Sequence, residues 1–297
     1  MSRAFRRRAG LVFLPIALLA VACGGNDVVD PVDGAADATF DEGAADTMSD
    51  GMLAPGEASS PDSSLDAAVD ADGAGTQDAS DTGLEGGGAP APALATARTF
   101  ALLASSTITN AGVTTAIVGD VGISPGTALV NLPQGQVTGT IHLGDGPAAK
   151  AASDLAVAYD DLAGRACEHT MSGVDLGGQT LAPGVYCFAV AAAQSASALV
   201  LDGQNDPNAV WIFQIASTLT IATNASTSVI NGGSACNVYW QVGSSATINA
   251  GARFKGSVLA KVSATLLTGA DVSPGRVLTQ TGAVTLDSNA ISNAGCP

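Results

Sequence analysis

The side chains best suited to chemistry in this 297-residue chain are two histidines, five cysteines and a recurring threonine. His142 stands in VTGTIHLGDGP, and His169 stands in ACEHT beside Glu168. Neither has a second His, Cys or carboxylate at metal-ligand spacing, so both read as surface or capping residues. Ser124, in GISPG, has no partner base and lies outside a G-x-S-x-G frame. A general acid–base enzyme gathers titratable groups in a cleft, and no such cluster is written here. The chain reads as a non-enzyme, with no catalytic residue, no metal ligand and no cofactor.

The threonines behave differently, because they repeat. LTIATNA (219–225), ATINAGA (246–252), ATLLTGA (264–270) and VTLDSNA (284–290) align without gaps, with starts 27, 18 and 20 residues apart. A period near 20 is the signature of a β-solenoid, with one turn of chain per repeat. The uneven first interval implies an insertion or a skipped strand. Alternation along a strand sends Ile221, Ile248, Leu266 and Leu286 inward and Thr220, Thr247, Thr265 and Thr285 outward, with Ser263 displaced from that row. Threonine is also a good strand residue in its own right, so the column alone does not assign a role. STITNAG (106–112) is an earlier relative of the same pattern.

From Leu94 onward the sequence alternates short Val/Ile/Thr runs with Gly, Asn and Ser, which is strand and turn punctuation. One segment departs from it. Residues 146–165 place Ala148, Ala151, Ala152, Leu155, Tyr159 and Leu162 on one helical stripe. Asp145 is the expected N-cap, Pro147 suits the first turn, and Gly164 can end the helix. An Ala-rich face lets such a helix lie close against a sheet. Trp211, Phe213, Tyr239 and Trp240, in VWIFQI and VYWQV, read as core and end-cap aromatics; the alternative is a sugar-stacking platform.

Charge divides the chain. The formal net charge is -16, yet residues 24–93 hold 16 Asp and Glu and no Lys or Arg, whereas 94–297 hold 11 acidic and 7 basic residues. Arg253, Lys255, Lys261 and Arg276 are too dispersed for a polyanion site, which excludes ordinary nucleic-acid binding. The segment 24–93 has too little apolar surface to offset its ordering entropy and is expected to be a disordered acidic tether. A coil of that length spans roughly 45 Å, and more under self-repulsion.

Ahead of it lies a leader. Arg3, Arg6, Arg7 and Arg8 precede an apolar run, Leu11 to Leu19, too short to span a membrane. The run ends in A-V-A-C, which resembles a bacterial lipobox with Cys23 as the lipidated residue. An ordinary A-x-A cleavage would cut the same bond and leave a free thiol in a secreted or periplasmic protein. Residues 1–22 are expected to be a lipoprotein signal peptide. Gly24 after the anchor resembles sorting signals for the outer membrane or cell surface. Removing Cys23 from the count leaves Cys167, Cys187, Cys236 and Cys296, an even set for an oxidising compartment. Of three pairings, Cys167–Cys187 and Cys236–Cys296 are expected: the first joins the helix end to GVYCF, the second fastens the last strand to an interior turn.

The ordered stretches FALLASSTITNAG, AIVGDVGISPGT, VTGTIHL, AYDDLAGRAC and DLGGQTLAPGVYCF resemble the ice-binding-like family of microbial antifreeze and ice-adhesion proteins. So do LVLDGQNDPNAVWIFQIASTLTIAT, SACNVYWQVGSSATINAGARFKGSVLA and TLLTGADVSPGRVLTQTGAVTLDSNAI, and together they cover the domain 94–297. The resemblance implies a discontinuous right-handed β-helix of triangular section with one long α-helix alongside. It also implies adsorption to ice, inhibiting recrystallisation or mediating adhesion; the chain is expected to be a monomer, and the membrane anchor comes from the lipobox alone. The family's ice sites follow no strict motif, so Thr220, Thr247, Thr265 and Thr285 are candidates on chemistry alone. The alternative is a structural or adhesive surface module, glycan-binding and without ice activity. Ser273-Pro274 departs from the family's Asn-Gly-Arg pattern, and the lost amide donor is expected to interrupt the neighbouring ladder.

The anchor assignment has a direct check. Cys23→Ser should release the chain from membrane fractions; a variant that still sediments wholly with membranes would refute it.

Overall fold

A computed structural model describes residues 89–297; the leader, Cys23 and residues 24–88 of the tether lie outside the described residues. From Phe100 the chain winds in coils that feed sheets of 12, seven and three strands, paired in parallel. This is a β-solenoid with one helix, α1 (Gly146–Gly164).

The coils do not stack in chain order. Successive turns run from Gly184–Phe188 to Ala290–Ser292, each on the one before. The next coil in space is the first in sequence. Leu103 pairs with Leu278, Thr109 with Thr285 and Ile117 with Ile291. A second early coil, with strands Asp120–Ile123 and Ala128–Val130, stacks outside that one. Helix α1 then carries the chain back along the large sheet to the far end, where His169–Thr170 begins again.

Inside the coils, parallel register places like on like. The rings of His169, Tyr186, Phe213, Trp240 and Phe254 form a column with centroid separations of 4.8, 5.5, 3.9 and 4.8 Å. Trp211 and Trp240 are fully buried, and their indole N–H groups donate to Leu181 O and Lys255 O. Leu219, Ile221, Ile248, Leu266 and Leu286 complete the aliphatic interior.

Helix α1 starts at the expected cap, with Asp145 Oδ1 accepting from the Ala148 amide at 2.9 Å. Its buried stripe is Ala148, Ala151, Leu155, Ala158, Tyr159 and Leu162; Ala152 sits at the margin and Asp154 takes a covered place instead. The stripe packs on Leu103, Val185, Ile212, Tyr239, Leu259 and Leu278 of the large sheet. At the other end, Gln214 Nε2 donates to Leu162 O and Arg165 O, satisfying carbonyls that a helix terminus leaves open.

Three expectations need adjusting. The long first repeat interval is an insertion, since Leu219–Ile221 pairs directly with Ala246–Ile248; the extra residues form the stretch around Ala235–Asn237. STITNAG joins the stack two residues out of frame with the other four segments, with Thr109 rather than Thr107 in the threonine column. The ladder is interrupted at Ser273-Pro274 as expected, but only locally: Phe254 pairs with Val272 and Gly256 with Gly275, and the strand Asp271–Thr279 resumes its pairing beyond the register shift.

Two outcomes follow. Phe213 sits between two rings, so Phe213→Ala should cost about 3–5 kcal/mol in chemical denaturation. Asp154 takes an ion pair from Lys150 and hydrogen bonds from the Thr96 hydroxyl and amide, which hold its carboxyl down at about 2. That stabilisation is complete above the ordinary carboxylate pKa and is lost as pH falls through about 2. The melting-temperature gap between the parent and Asp154→Asn should close over that range; a constant gap would show that the carboxylate charge does not contribute.

Candidate functional site

Five strands of the seven-stranded sheet have three residues each, the outer two buried and the middle one facing out; Thr107–Asn110 and Ala128–Val130 alternate in the same way with a different phase. Register aligns the outward residues across the sheet as Ala193, Thr220, Thr247, Thr265 and Thr285, then Thr109, third in its strand, and Val130, last in its strand. Adjacent strands about 4.8 Å apart give the row a length of about 29 Å. It contains no charge. Its inward neighbours, Leu219, Ile221, Ala246, Ile248, Ala264, Leu266 and Val284, are buried, so the face is backed by a packed layer.

A second small-residue column runs two positions earlier, through Thr218, Ser245, Ser263, Ala283 and Thr107. Ser245 Oγ and Ser263 Oγ lie 2.9 Å apart. Ser263 therefore belongs to the same face and does not stand off it. The opposite margin is less uniform, with Leu267 40% exposed and Asp287 accepting from the Thr268 hydroxyl.

The other two sides of the solenoid offer no comparable surface. Helix α1 covers much of the large sheet. The third side carries Asp202, Arg253, Lys255 and Asp271, with Asp202 bonded to Asn231 and Lys255 to Ser273 O. Hydrogen bonds from the Gln204 amide and then Asn231 hold the Asp202 carboxyl below its ordinary range, so this side stays charged.

The remaining candidates are structural. His142 Nδ1 lies 2.7 Å from Asp145 Oδ2 and its ring meets Phe100, which makes it a partner of the helix cap. His169 stacks on Tyr186, and Ser124 is buried. The cysteines are joined as Cys167–Cys187 and Cys236–Cys296, with Cα separations of 5.9 and 5.2 Å. A groove of about 1,080 Å³ lies between Ala95–Thr99 and α1, and most of its charged side chains are engaged: Lys150 with Asp154, His142 with Asp145, Asp120 with the Thr140 amide, and buried Arg276 with Arg98 O and Ser257 Oγ. Trp211, Phe213, Tyr239 and Trp240 are all buried, so none is available to stack on a sugar.

The chain thus presents an uncharged threonine face on one side of a solenoid whose large sheet carries a helix. The family model described as ice-binding-like matches residues 102–292. The chain belongs to the ice-binding-like family. It is 47% identical to an ice-binding protein of Nostoc sp. (strain HG1) over 201 residues, 68% of this chain and 74% of that one. An ice-binding protein of Flavobacterium frigoris (strain PS1) is 33% identical over 213 residues, covering 67% and 75%. Among solved structures, an ice-binding protein from an Antarctic biological consortium aligns with a TM-score of 0.64 and 40% identity, covering 68% of this chain and 90% of that one. One from the ascomycete Antarctomyces psychrotrophicus aligns at 0.65 and 35%, covering 68% and 98%. These family relatives are named for binding ice, not for catalysis.

Sequence reasoning missed Ala193, Thr109 and Val130 as members of the row. Thr109 was within reach, since ITNA matches LTIA when STITNAG is shifted by two residues. Ala193 and Val130 are not threonines, and only the strand pairing reveals them.

Proposed function

We propose that this chain adsorbs to ice through the face bearing Thr220, Thr247, Thr265, Thr285 and Thr109. The observation that carries the reading is the in-register threonine row on the one uncharged, uncovered side of a family solenoid. Each threonine offers one methyl and one hydroxyl. A β-branched side chain is stiff at χ1, so the row needs little further ordering when water organises over it. The methyls keep that water from being held by strong local bonds, while the hydroxyls anchor it at the strand repeat. A charged group would keep its own hydration shell and hold the surface away from the lattice. Adsorption of this kind blocks growth of the covered crystal plane and inhibits recrystallisation.

The second part of the proposal concerns where the domain acts. A lipid on Cys23, followed by the acidic tether, would hold the domain at the outer membrane or cell surface with a reach of roughly 45 Å. Repulsion among the carboxylates favours extension. In this arrangement ice adsorption becomes adhesion of the cell to ice.

The test uses the soluble Cys23→Ser chain as parent in a recrystallisation assay. Thr265→Lys and Thr247→Tyr should abolish most inhibition while changing stability by no more than about 0.5 kcal/mol, as outward substitutions usually do. Val157→Lys, on the exposed outer side of α1, is the control and should leave activity intact. Full activity in Thr265→Lys would move the contact to another side, and an inactive parent would leave the adhesive-module reading in its place.

A further inference from the structure

Each junction of the threonine face pairs only two or three residues, and backbone bonds such as Asn249 N to Ile221 O and Leu267 N to Ile248 O run just past the strand ends. Between Ala264–Leu266 and Val284–Leu286 the register comprises only Ala264 with Val284 and Thr265 with Thr285, so the pairing stops before the last residue. Where it stops, a buried amide takes over. Asn289 Nδ2 donates to Leu267 O at 2.8 Å and to Ala270 O at 3.2 Å, and its Oδ1 accepts from the Asp287 amide at 2.6 Å. It thus joins residues lying just beyond the ends of two neighbouring face strands.

The device recurs at other junctions. Asn249, just after the strand Ala246–Ile248, donates through Nδ2 to Ile221 O at 2.7 Å, the last residue of the adjacent strand. Asn110, at the inward position paired with Leu286, donates to Asn131 O at 3.0 Å, just past Ala128–Val130. Its Oδ1 accepts from Thr115 Oγ1, which in turn accepts from the Asn289 amide. That chain crosses the junction where the last coil in sequence meets the first. Asn110 and Asn289 are each 1% exposed. An amide placed there is costly unless satisfied, and these side chains spend their bonds on coil-to-coil ties along one margin of the face.

We infer that Asn110, Asn249 and Asn289 are positioning residues for ice recognition, locking neighbouring strands at this margin so that the threonines share one plane. The inference rests on the reading of this face as the ice contact. The pins touch no ligand. They act by preventing the free ends of three-residue strands from splaying, which would tilt one threonine relative to the next and break the match over the whole row.

Asn249→Ala and Asn289→Ala, in the soluble Cys23→Ser chain, test this against Gln214→Ala. Gln214 makes the same kind of tie, one amide to two carbonyls, but on the helix side. Hydrogen exchange supplies a readout independent of ice. Loss of the Asn249 pin should raise amide exchange in Leu219–Ile221 and Ala246–Ile248 on the order of five-fold, the equivalent of one net hydrogen bond. The concentration needed to arrest recrystallisation should rise several-fold in both pin variants. Asn249→Gln, which keeps the donor, should recover most of each effect. Gln214→Ala, compared at equal distance below its melting temperature, should change neither. Unchanged exchange in the face strands, or an equal loss of activity in Gln214→Ala, would overturn the inference. An inactive parent would sink the ice reading and the inference with it, whereas an active parent with fully active pin variants sinks the inference alone.

Discussion

Parallel pairing of one coil upon the next is the constraint from which the rest of this structure follows. Each coil must place equivalent residues about 4.8 Å from their neighbours, so a residue type chosen at one level is met by the same position at the next. On the inside this favours stacked rings, since aromatic planes approach one another at comparable distances, and Phe213 and Trp240 lie 3.9 Å apart between centroids. On the outside it converts a threonine that recurs in sequence into a straight row. The same rule that fills the core therefore writes the surface.

A solenoid built this way has three sides, and the chain treats each differently. The large sheet receives α1, whose alanines allow close approach. The third side carries charge and needs no cover. The threonine side is left open and apolar between its hydroxyls, a condition most proteins avoid over so long a run. Its in-facing aliphatics support it from beneath, while the amide ties at one margin and the Ser245–Ser263 contact at the other bound it.

Much of this was legible in the sequence, for identifiable reasons. The repeat was visible because four coils keep the same apolar–Thr–apolar text, and the helix because its stripe has a period the strands lack. The cap at Asp145 followed from local chemistry alone. Less accessible was anything depending on which coil lies beside which. Thr109 pairs with Thr285 across 176 residues of chain, and nothing local announces that neighbour. Ser263 reads as off the row in one strand, yet two-residue alternation returns it to the same face. The amides at Asn249 and Asn289 look like ordinary turn residues until their partners in adjoining coils are known.

The order of the coils bears on how the molecule can be made and enlarged. The strand set Phe100–Ala104, Thr107–Asn110 and Ala116–Val118 is synthesised well before one of its two lateral neighbours, the coil whose Thr285 pairs with Thr109 and whose Ile291 pairs with Ile117. Until Ile291 exists, that flank has unpaired amides and carbonyls, and closing it requires contacts of very high sequence separation. Vectorial growth from one end is therefore closed to this chain. By the same geometry, a longer face cannot be reached by appending repeats to the carboxyl end, which is walled in on both sides. Any gain in length must be duplicated into the middle, between coils that already fit one another, with α1 lengthened in step to span the added distance.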